Sequence, residues 1–430
     1  MDSLFVRGGT PLNGSVRIQG SKNAVLPMMA AALLHNGVTV LKNCPRISDV
    51  FFMAEILKSL GAQILWEGHT MRLDCTQLHS WKIPSIYGVQ MRSTTMLLGS
   101  LLGRMGKCEM PYPGGCVIGK RPIDIHIDGL KSLNVRTEER PCVIRAGTTQ
   151  LLGTSYLFPG KSVGATENMI MAAVFAKGKT SLYGCSVEPE VVWLCRFLMK
   201  MGARIRGIGT ENIQIEGVSR LKDTVFEVPS DRIVAGTYLL AGAITRGRVI
   251  LEDAPQEEMG SILHAYEKMG GQYEQSSGKL ITDSGKIHCP LLFIETEVYP
   301  GLPTDLQSQL MAVLTTIRGT SVIRENVFED RFKIVSELVR MGAQITVEGK
   351  NAFITGVSEL TGAHVYAKEL RGGASLVLAA LAAKGVSCIE NYRYIERGYE
   401  DICRDITALG GTILRNEDEK TDEEAKNAGI

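Results

Sequence analysis

The chain has 430 residues, of which 44% are hydrophobic and 22% charged, and its formal net charge is +1. That length suits two or three ordinary domains, each able to bury its own core. The near-neutral balance excludes bulk attraction to nucleic acid or to an anionic membrane, and no apolar run approaches the ~20 residues of a membrane span.

The N-terminus, Met1-Asp2-Ser3, runs straight into a strand-like Leu4-Phe5-Val6 and does not read as a secretion signal. The ten cysteines, with no metal-like spacing, are therefore expected to be reduced intracellular thiols, mostly small core hydrophobes. From residue 20 onward a pattern recurs. A first helix, nearly all apolar, is predicted at Asn23–His35, Arg92–Arg104, Glu167–Lys177, Arg232–Thr245, Asp305–Ile317 and Arg371–Lys384. Most are followed by Gly and a strand, as in Gly37-Val38-Thr39-Val40-Leu41. Second helices are predicted to begin near Arg46, Arg121, Glu188, Arg331 and Arg397. They end on a recurring phrase such as Ser59-Leu60-Gly61-Ala62 or Arg340-Met341-Gly342-Ala343, with a weaker copy at Ser132-Leu133-Asn134-Val135. Residues 61, 134, 202, 270, 342 and 410 are spaced by about 70, so the chain is read as six repeats. Gly or Asn at each of these positions is the left-handed residue expected at a helix C-cap.

Helices that are apolar all round must be buried, whereas the alternating strands should cover them with one face toward water. The predicted class is α/β, with helices inside and sheets outside. Six strand–helix–strand–helix–strands units would make two pseudo-threefold domains. Asn416–Ile430 has almost no large apolar residue and reads as a disordered tail, with a short solvated helix as the alternative.

Two features carry chemistry. The stretch Pro111–Pro122 holds three glycines and three prolines, and reads as a surface loop that ends at a helix beginning at Arg121-Pro122. Cys116 sits in it, just before Lys120 and Arg121, cations that would lower its pKa and favour thiolate. An idle surface thiol is the other reading. The second feature is a set of cations near predicted helix starts: Lys22, Arg92, Arg121, Arg232, Arg371 and Arg397. Capping accounts for the neighbouring Ser, Thr, Asp and Asn, but the macrodipole disfavours positive charge there. A shared anion, phosphate or carboxylate, would reverse that argument.

Several motifs together closely resemble the UDP-N-acetylglucosamine 1-carboxyvinyltransferase family of enolpyruvyl transferases. They are Gly20-Ser21-Lys22-Asn23-Ala24, Pro113-Gly114-Gly115-Cys116 with Ile118-Gly119, Arg121-Pro122 and Asp124, and Val163-Gly164-Ala165-Thr166-Glu167-Asn168. Pro300-Gly301 with Pro303-Thr304-Asp305 and Gln307, Leu370-Arg371, and Arg397-Gly398-Tyr399-Glu400 complete the set. The resemblance runs from about residue 4 to about residue 412.

It implies a two-domain inside-out α/β barrel, the enolpyruvyl transferase fold. One domain would span 22–229 and carry the Cys116 loop; the other would combine 1–21 with 230–415, the substrates lying between them. The implied reaction moves the enolpyruvyl group of phosphoenolpyruvate to the 3′-hydroxyl of UDP-N-acetylglucosamine and releases phosphate, in the cytoplasm, at the start of peptidoglycan synthesis. No metal, organic cofactor, nucleic acid or membrane partner is implied, and oligomeric state is left open.

By the same resemblance Cys116 is the acid–base and adduct-forming thiol, the target of the epoxide antibiotic fosfomycin, and Asp305 takes the hydroxyl proton. Lys22, Arg121 and Arg397 form the phosphoenolpyruvate clamp with Arg371 beside them. Asn23, Arg92, Arg121, Pro122, Ile123, Asp124, Ile125, Lys161, Ser162, Val163, Gly164, Asp305 and Val327 contact the nucleotide sugar. One residue departs from the family pattern: Glu369 stands where Asp is usual. The extra methylene would displace a carboxylate by about an ångström, which can cost up to ~100-fold in rate, and leaves open a slow or silent paralogue. An enolpyruvyl transferase for another acceptor, such as shikimate 3-phosphate, is the nearest rival, and the Pro-Gly-Gly-Cys loop argues against it.

Overall fold

The structure is a computed structural model that describes residues 2–88, 91–112, 123–140 and 142–416; Cys116, Lys120, Arg121, Pro122 and the tail from 417 lie outside the described residues. The chain divides into two compact units, one built from residues up to 19 and from 230 onward, the other from the described residues between 20 and 229.

The recurring phrase in the sequence marks real helix ends. Gly61, Asn134, Gly202, Gly270, Gly342 and Gly410 all have positive φ, between 70° and 110°. At Gly202 a Cβ would meet nothing within 4 Å, so φ of +106° alone asks for glycine there. After each such residue the chain reverses into a strand: Gln63–Glu67, Arg136–Arg140, Arg204–Arg206, Gln272–Ser276, Gln344–Glu348 and Thr412–Arg415.

Among the described residues there are six sheets, three in each unit. Five are four-stranded and share one plan: three antiparallel strands with a fourth added in parallel. In the unit spanning 20–229, Thr224–Glu227 returns to lie parallel to Val38–Lys42, so the end of that unit completes its first sheet. In the other, Asn13–Arg17 runs parallel to Arg248–Glu252. Ser3–Arg7 lies antiparallel between Val386–Glu390 and Thr412–Arg415. The first strand of the chain thus fills the last repeat's sheet, which is why residues before 20 belong with those after 230.

The helices are the core. Every residue of Arg232–Ile244 and of Gln307–Leu314 is buried, as are twelve residues of Leu370–Ala382, and these three helices pack against one another. In the other unit Lys22–Ala32, Leu97–Met105 and Val163–Ala173 are buried along most of their length. Strands bury alternate residues, as Asn212–Glu216 does with Ile213 and Ile215. Burying helices that carry no polar face releases apolar surface from water at about 25 cal/mol per Å², and the half-wet strands take the outside. Small residues let the helices approach: a Cβ on Gly99 would lie 2.3 Å from the carbonyl oxygen of Asn168.

Candidate active site

The predicted site residues fall on both units, and most of those described stand at helix starts, Val327 and Arg397 being exceptions. In the unit spanning 20–229, Lys22 is the first residue of Lys22–Ala32, whose N-cap Ser21 accepts the N–H of Ala24. Its Nζ lies 2.7 Å from Oδ2 of buried Asp49, in the first turn of Ser48–Leu60. Asn23 follows it, half-buried. Arg92 opens a 3₁₀ turn, Arg92–Met96, that runs into Leu97–Met105, where a single α-helix was expected.

Ile123 is buried and sits at the N-cap of Asp124–Ser132, while Arg121 and Pro122, where the helix start was expected, lie outside the described residues. Ser162 caps Val163–Ala173, its Oγ accepting from Ala165, and this helix starts three residues earlier than Thr166. Ser162 supplies the cap, taking the N–H of Ala165, where Thr166 was expected to cap a helix beginning at Glu167. Lys161 donates to the carbonyl of Cys185 at 3.0 Å and pairs with Glu211 at 2.6 Å. Asp124 and Ile125 line an open pocket of about 320 Å³ with Asp128, Lys131, Glu139 and Pro159. Its charged residues are three carboxylates against one lysine, so it would not attract a diphosphate by charge.

What fixes these helix starts relative to one another is Asn168, fully buried. Its Oδ1 accepts the N–H of Gly99 at 2.7 Å, and its Nδ2 donates to the carbonyl of Thr95 at 2.9 Å and lies 2.8 Å from Nδ1 of His126. One amide therefore joins the elements that begin at Arg92, Asp124 and Val163. Glu167 next to it is also fully buried, and neither carboxylate oxygen has a hydrogen-bond partner among the described residues. Burial, then the charges of Glu190 and Glu188, push its carboxyl well above the usual carboxylate range.

In the other unit the centre is Asp305, within the 3₁₀ turn Thr304–Leu306 that leads into Gln307–Leu314. Two guanidiniums hold it. Arg331 Nη2 donates to Oδ1, and Arg371 reaches Oδ2 through Nη2 at 3.1 Å and Nε at 3.3 Å. Arg331 also donates Nε to Oγ1 of Thr304 at 3.1 Å, while its Nη1 lies 3.5 Å from Oε2 of Glu369.

Glu369 is the N-cap of Leu370–Ala382: it accepts the N–H of Arg371 at 2.8 Å and the N–H of Gly372 through its other oxygen. A Cβ on Gly372 would sit 2.8 Å from that oxygen, so the glycine makes room for the cap. Arg371 is buried. Burial alone would lower the pKa of its guanidinium, but Asp305, Tyr399 and Asp231 hold it above its ordinary value. The Tyr399 ring lies under its Cζ at 5.8 Å, and the Tyr399 hydroxyl is 2.7 Å from that of Thr237.

Carboxylates therefore already partner Lys22 and Arg371 against the helix macrodipole. Arg397 does not begin a helix: it ends the 3₁₀ turn Tyr392–Arg397, and the helix starts at Ile402, capped by Asp401. Val327 is exposed, its N–H bound to Glu325 at 2.8 Å. Arg331 and Asn168 do as much to hold these groups as any residue predicted for the site. Arg331 could have been found, as another cation at a helix start; nothing in the sequence marks which side chains Asn168 would meet.

Buried guanidiniums around a carboxylate, set on helix starts of a six-repeat α/β chain, are combined here with the fold of the enolpyruvyl transferases. The enolpyruvyl transferase NikO from Streptomyces tendae superposes with a TM-score of 0.85 at 22% identity, covering 96% of this chain and 99% of that one. An EPSP synthase from Acinetobacter baumannii gives 0.75 at 19%, over 97% and 100%. The chain belongs to the EPSP synthase (3-phosphoshikimate 1-carboxyvinyltransferase) family, whose sequence model matches residues 6–406. Among its relatives, UDP-N-acetylglucosamine 1-carboxyvinyltransferase 2 of Caldanaerobacter subterraneus subsp. tengcongensis is 42% identical over 96% of this chain and 100% of its own length. UDP-N-acetylglucosamine 1-carboxyvinyltransferase 1 of Symbiobacterium thermophilum is 44% identical over 96% and 95%, and the Coxiella burnetii enzyme is 43% identical over 96% of each chain.

Proposed function

We propose that the chain transfers the enolpyruvyl group of phosphoenolpyruvate to the 3′-hydroxyl of UDP-N-acetylglucosamine and releases phosphate, the opening step of peptidoglycan synthesis. The carrying observation is the likeness, at 42–44% identity and nearly full length, to proteins named for that reaction. The likeness to EPSP synthase and NikO structures, at 19–22%, bears on the fold alone.

In this reading the 3′-oxygen bonds to C2 of phosphoenolpyruvate while C3 takes a proton, giving a tetrahedral phosphate adduct. Loss of a proton from C3 then expels phosphate and restores the double bond. Cys116 delivers the proton to C3, and Asp305 accepts the one lost by the hydroxyl. Lys22, Arg121 and Arg397 clamp the carboxylate and phosphate, with Arg371 beside them. Asn23, Arg92, Ile123, Asp124, Ile125, Pro122, Lys161, Ser162, Val163, Gly164 and Val327 hold the nucleotide sugar. Support comes from Asp305: two guanidiniums hold both its oxygens and so fix the carboxylate's orientation at the start of Gln307–Leu314.

We read the two units as the domains of three repeats each, 22–229 and 1–21 with 230–415. No described helix is long and apolar enough to cross a membrane. Both substrates are charged metabolites, and we place the reaction in the cytoplasm.

The test is phosphate release by the purified chain. Release from phosphoenolpyruvate that depends on UDP-N-acetylglucosamine is expected. Release with shikimate 3-phosphate in its place would overturn the acceptor, and no release with either would favour a silent paralogue.

A further inference from the structure

A second cluster lies on the outer sheet of the unit that contains Asp305. His364–Tyr366 and Val386–Glu390 pair in parallel, with His364 opposite Cys388 and Tyr366 opposite Glu390. Side chains alternate along a strand, so Cys388 and Glu390 leave the sheet on one face and His364 stands beside them. Ser387 and Ile389, on the other face, are fully buried against the helices.

Nε2 of His364 lies 3.0 Å from Oε1 of Glu390, and one ligand atom from each of His364, Cys388 and Glu390 lies within 4.8 Å of the others. The three differ in depth: Glu390 is 9% exposed, Cys388 half-buried, and the His364 side chain 54% exposed. They make a cup with a carboxylate floor and an imidazole rim. The rim is braced, because the His364 ring lies 5.2 Å from that of Tyr366, whose ring in turn has Arg340 Cζ at 5.9 Å.

We propose that His364 Nε2, Cys388 Sγ and a carboxylate oxygen of Glu390 bind one borderline-soft divalent transition ion, of the Zn²⁺ or Co²⁺ class. One thiolate, one imidazole and one carboxylate are the donors such ions take in tetrahedral sites, with water in the fourth position. Mg²⁺ and Ca²⁺ call for six or more oxygens, which this cup does not offer. Tetrahedral bonds to sulfur near ~2.3 Å and to nitrogen and oxygen near ~2.0–2.2 Å would need the three atoms to close slightly around the ion. The exposed imidazole can supply that movement. As the Sγ–metal bond forms, the thiol proton leaves to solvent. The ion would cross-link the short strand His364–Tyr366 to its neighbour, which now holds it by a three-residue ladder. This inference does not depend on the reaction proposed above.

The experiment uses the full-length, untagged, reduced chain titrated with Co²⁺ after chelator treatment and desalting. One Co²⁺ per chain is expected, with the thiolate-to-cobalt charge-transfer band in the near ultraviolet, displaced by Zn²⁺. Cys388→Ser should abolish the band with every other cysteine intact. His364→Ala should weaken binding at least ~10-fold, and Cys142→Ser, at an exposed thiol elsewhere, should leave it unchanged. His364 is exposed, so His364→Ala decides the matter even if Cys388→Ser fails to fold. No band from the wild-type chain, or equal affinity in wild type and His364→Ala, would overturn the site.

Discussion

Arg331 and Asp305 stand 26 residues apart in sequence, and the terminal Nη2 of the first donates to Oδ1 of the second. The same guanidinium serves Thr304 through Nε and Glu369 through Nη1, with its side chain only 3% exposed. A buried cation with three acceptors is a positioning device, because Asp305 cannot turn without breaking a network. Arg331→Ala would leave Glu369 and one oxygen of Asp305 without that partner, a loss of about 3–5 kcal/mol for a buried pair. With Asp305 as the base proposed above, turnover should fall at least ~100-fold when it is misplaced. Arg331→Lys should rescue only part of it, since an ammonium cannot address three acceptors at guanidinium geometry. Steady-state kinetics beside thermal melts check this; wild-type kcat in Arg331→Ala would show that Arg331 does not position Asp305.

Glu369 is where the sequence raised doubt and where the structure supplies a use for the longer side chain. Both of its oxygens cap Leu370–Ala382, and one still reaches Arg331 at 3.5 Å. An aspartate can cap as well, but the Arg331 contact is already the longest and is the one a shorter side chain gives up. Glu369→Asp should therefore melt within ~1 kcal/mol of wild type, because the caps remain, while kcat drops on the order of 10-fold through Asp305. A faster Glu369→Asp enzyme would mean that the extra methylene is a defect after all.

The helix-ending glycines and the all-apolar helices were legible because each reflects a local rule. Positive φ selects Gly or Asn, as at Gly61 and Asn134, and an apolar circumference selects burial, as in Arg232–Ile244. Pairings across the chain were not. Nothing near Lys22 names Asp49 as its partner, and nothing near Arg397 shows that its turn is 3₁₀ and that Asp401 caps the next helix. His364 and Cys388 are brought together only by strand register, which no spacing rule along the sequence would reveal. The cysteine loop stood out by composition, and Cys116 lies outside the described residues.

Thiol labelling separates Cys116 from the rest by chemistry. Burial pushes Cys75 and Cys195 up to about 12 and Cys185 up to about 11, so these thiols are protonated and shielded at neutral pH. Cys142 is exposed in the turn between Arg136–Arg140 and Val143–Gly147 and will compete for a generic alkylating agent. Iodoacetamide should thus mark Cys142 and Cys116, and more slowly the half-buried Cys289, Cys388 and Cys403, whereas fosfomycin should mark Cys116 alone, and faster with UDP-N-acetylglucosamine present. Cys116→Asp should keep some turnover, since a carboxylic acid can still deliver a proton, while resisting the epoxide. Peptide mass mapping reads the outcome. Fosfomycin on Cys142, or labelling indifferent to the nucleotide sugar, would sink the assignment.

Glu167 gives a prediction in pH. It is fully buried between the starts of the helices Val163–Ala173 and Pro189–Lys200, and burial followed by the charges of Glu190 and Glu188 raises its pKa well above the ordinary carboxylate value. In the unfolded chain it titrates near ~4.3. Between those two values the native state holds a proton that the unfolded state has lost. Stability therefore falls as pH rises through this window, by at most ~1.4 kcal/mol per pH unit. Below ~4 both states are protonated, and the group contributes no slope. Glutamine has the shape of the protonated acid and does not titrate. Glu167→Gln should thus match wild type near pH 4 and become progressively more stable than it toward pH 8. Urea unfolding of both proteins at several pH values reads the difference directly. Parallel stability curves, or a wild type that gains on Glu167→Gln as pH rises, would show that Glu167 is ionised in the folded chain and finds a cation to hold it.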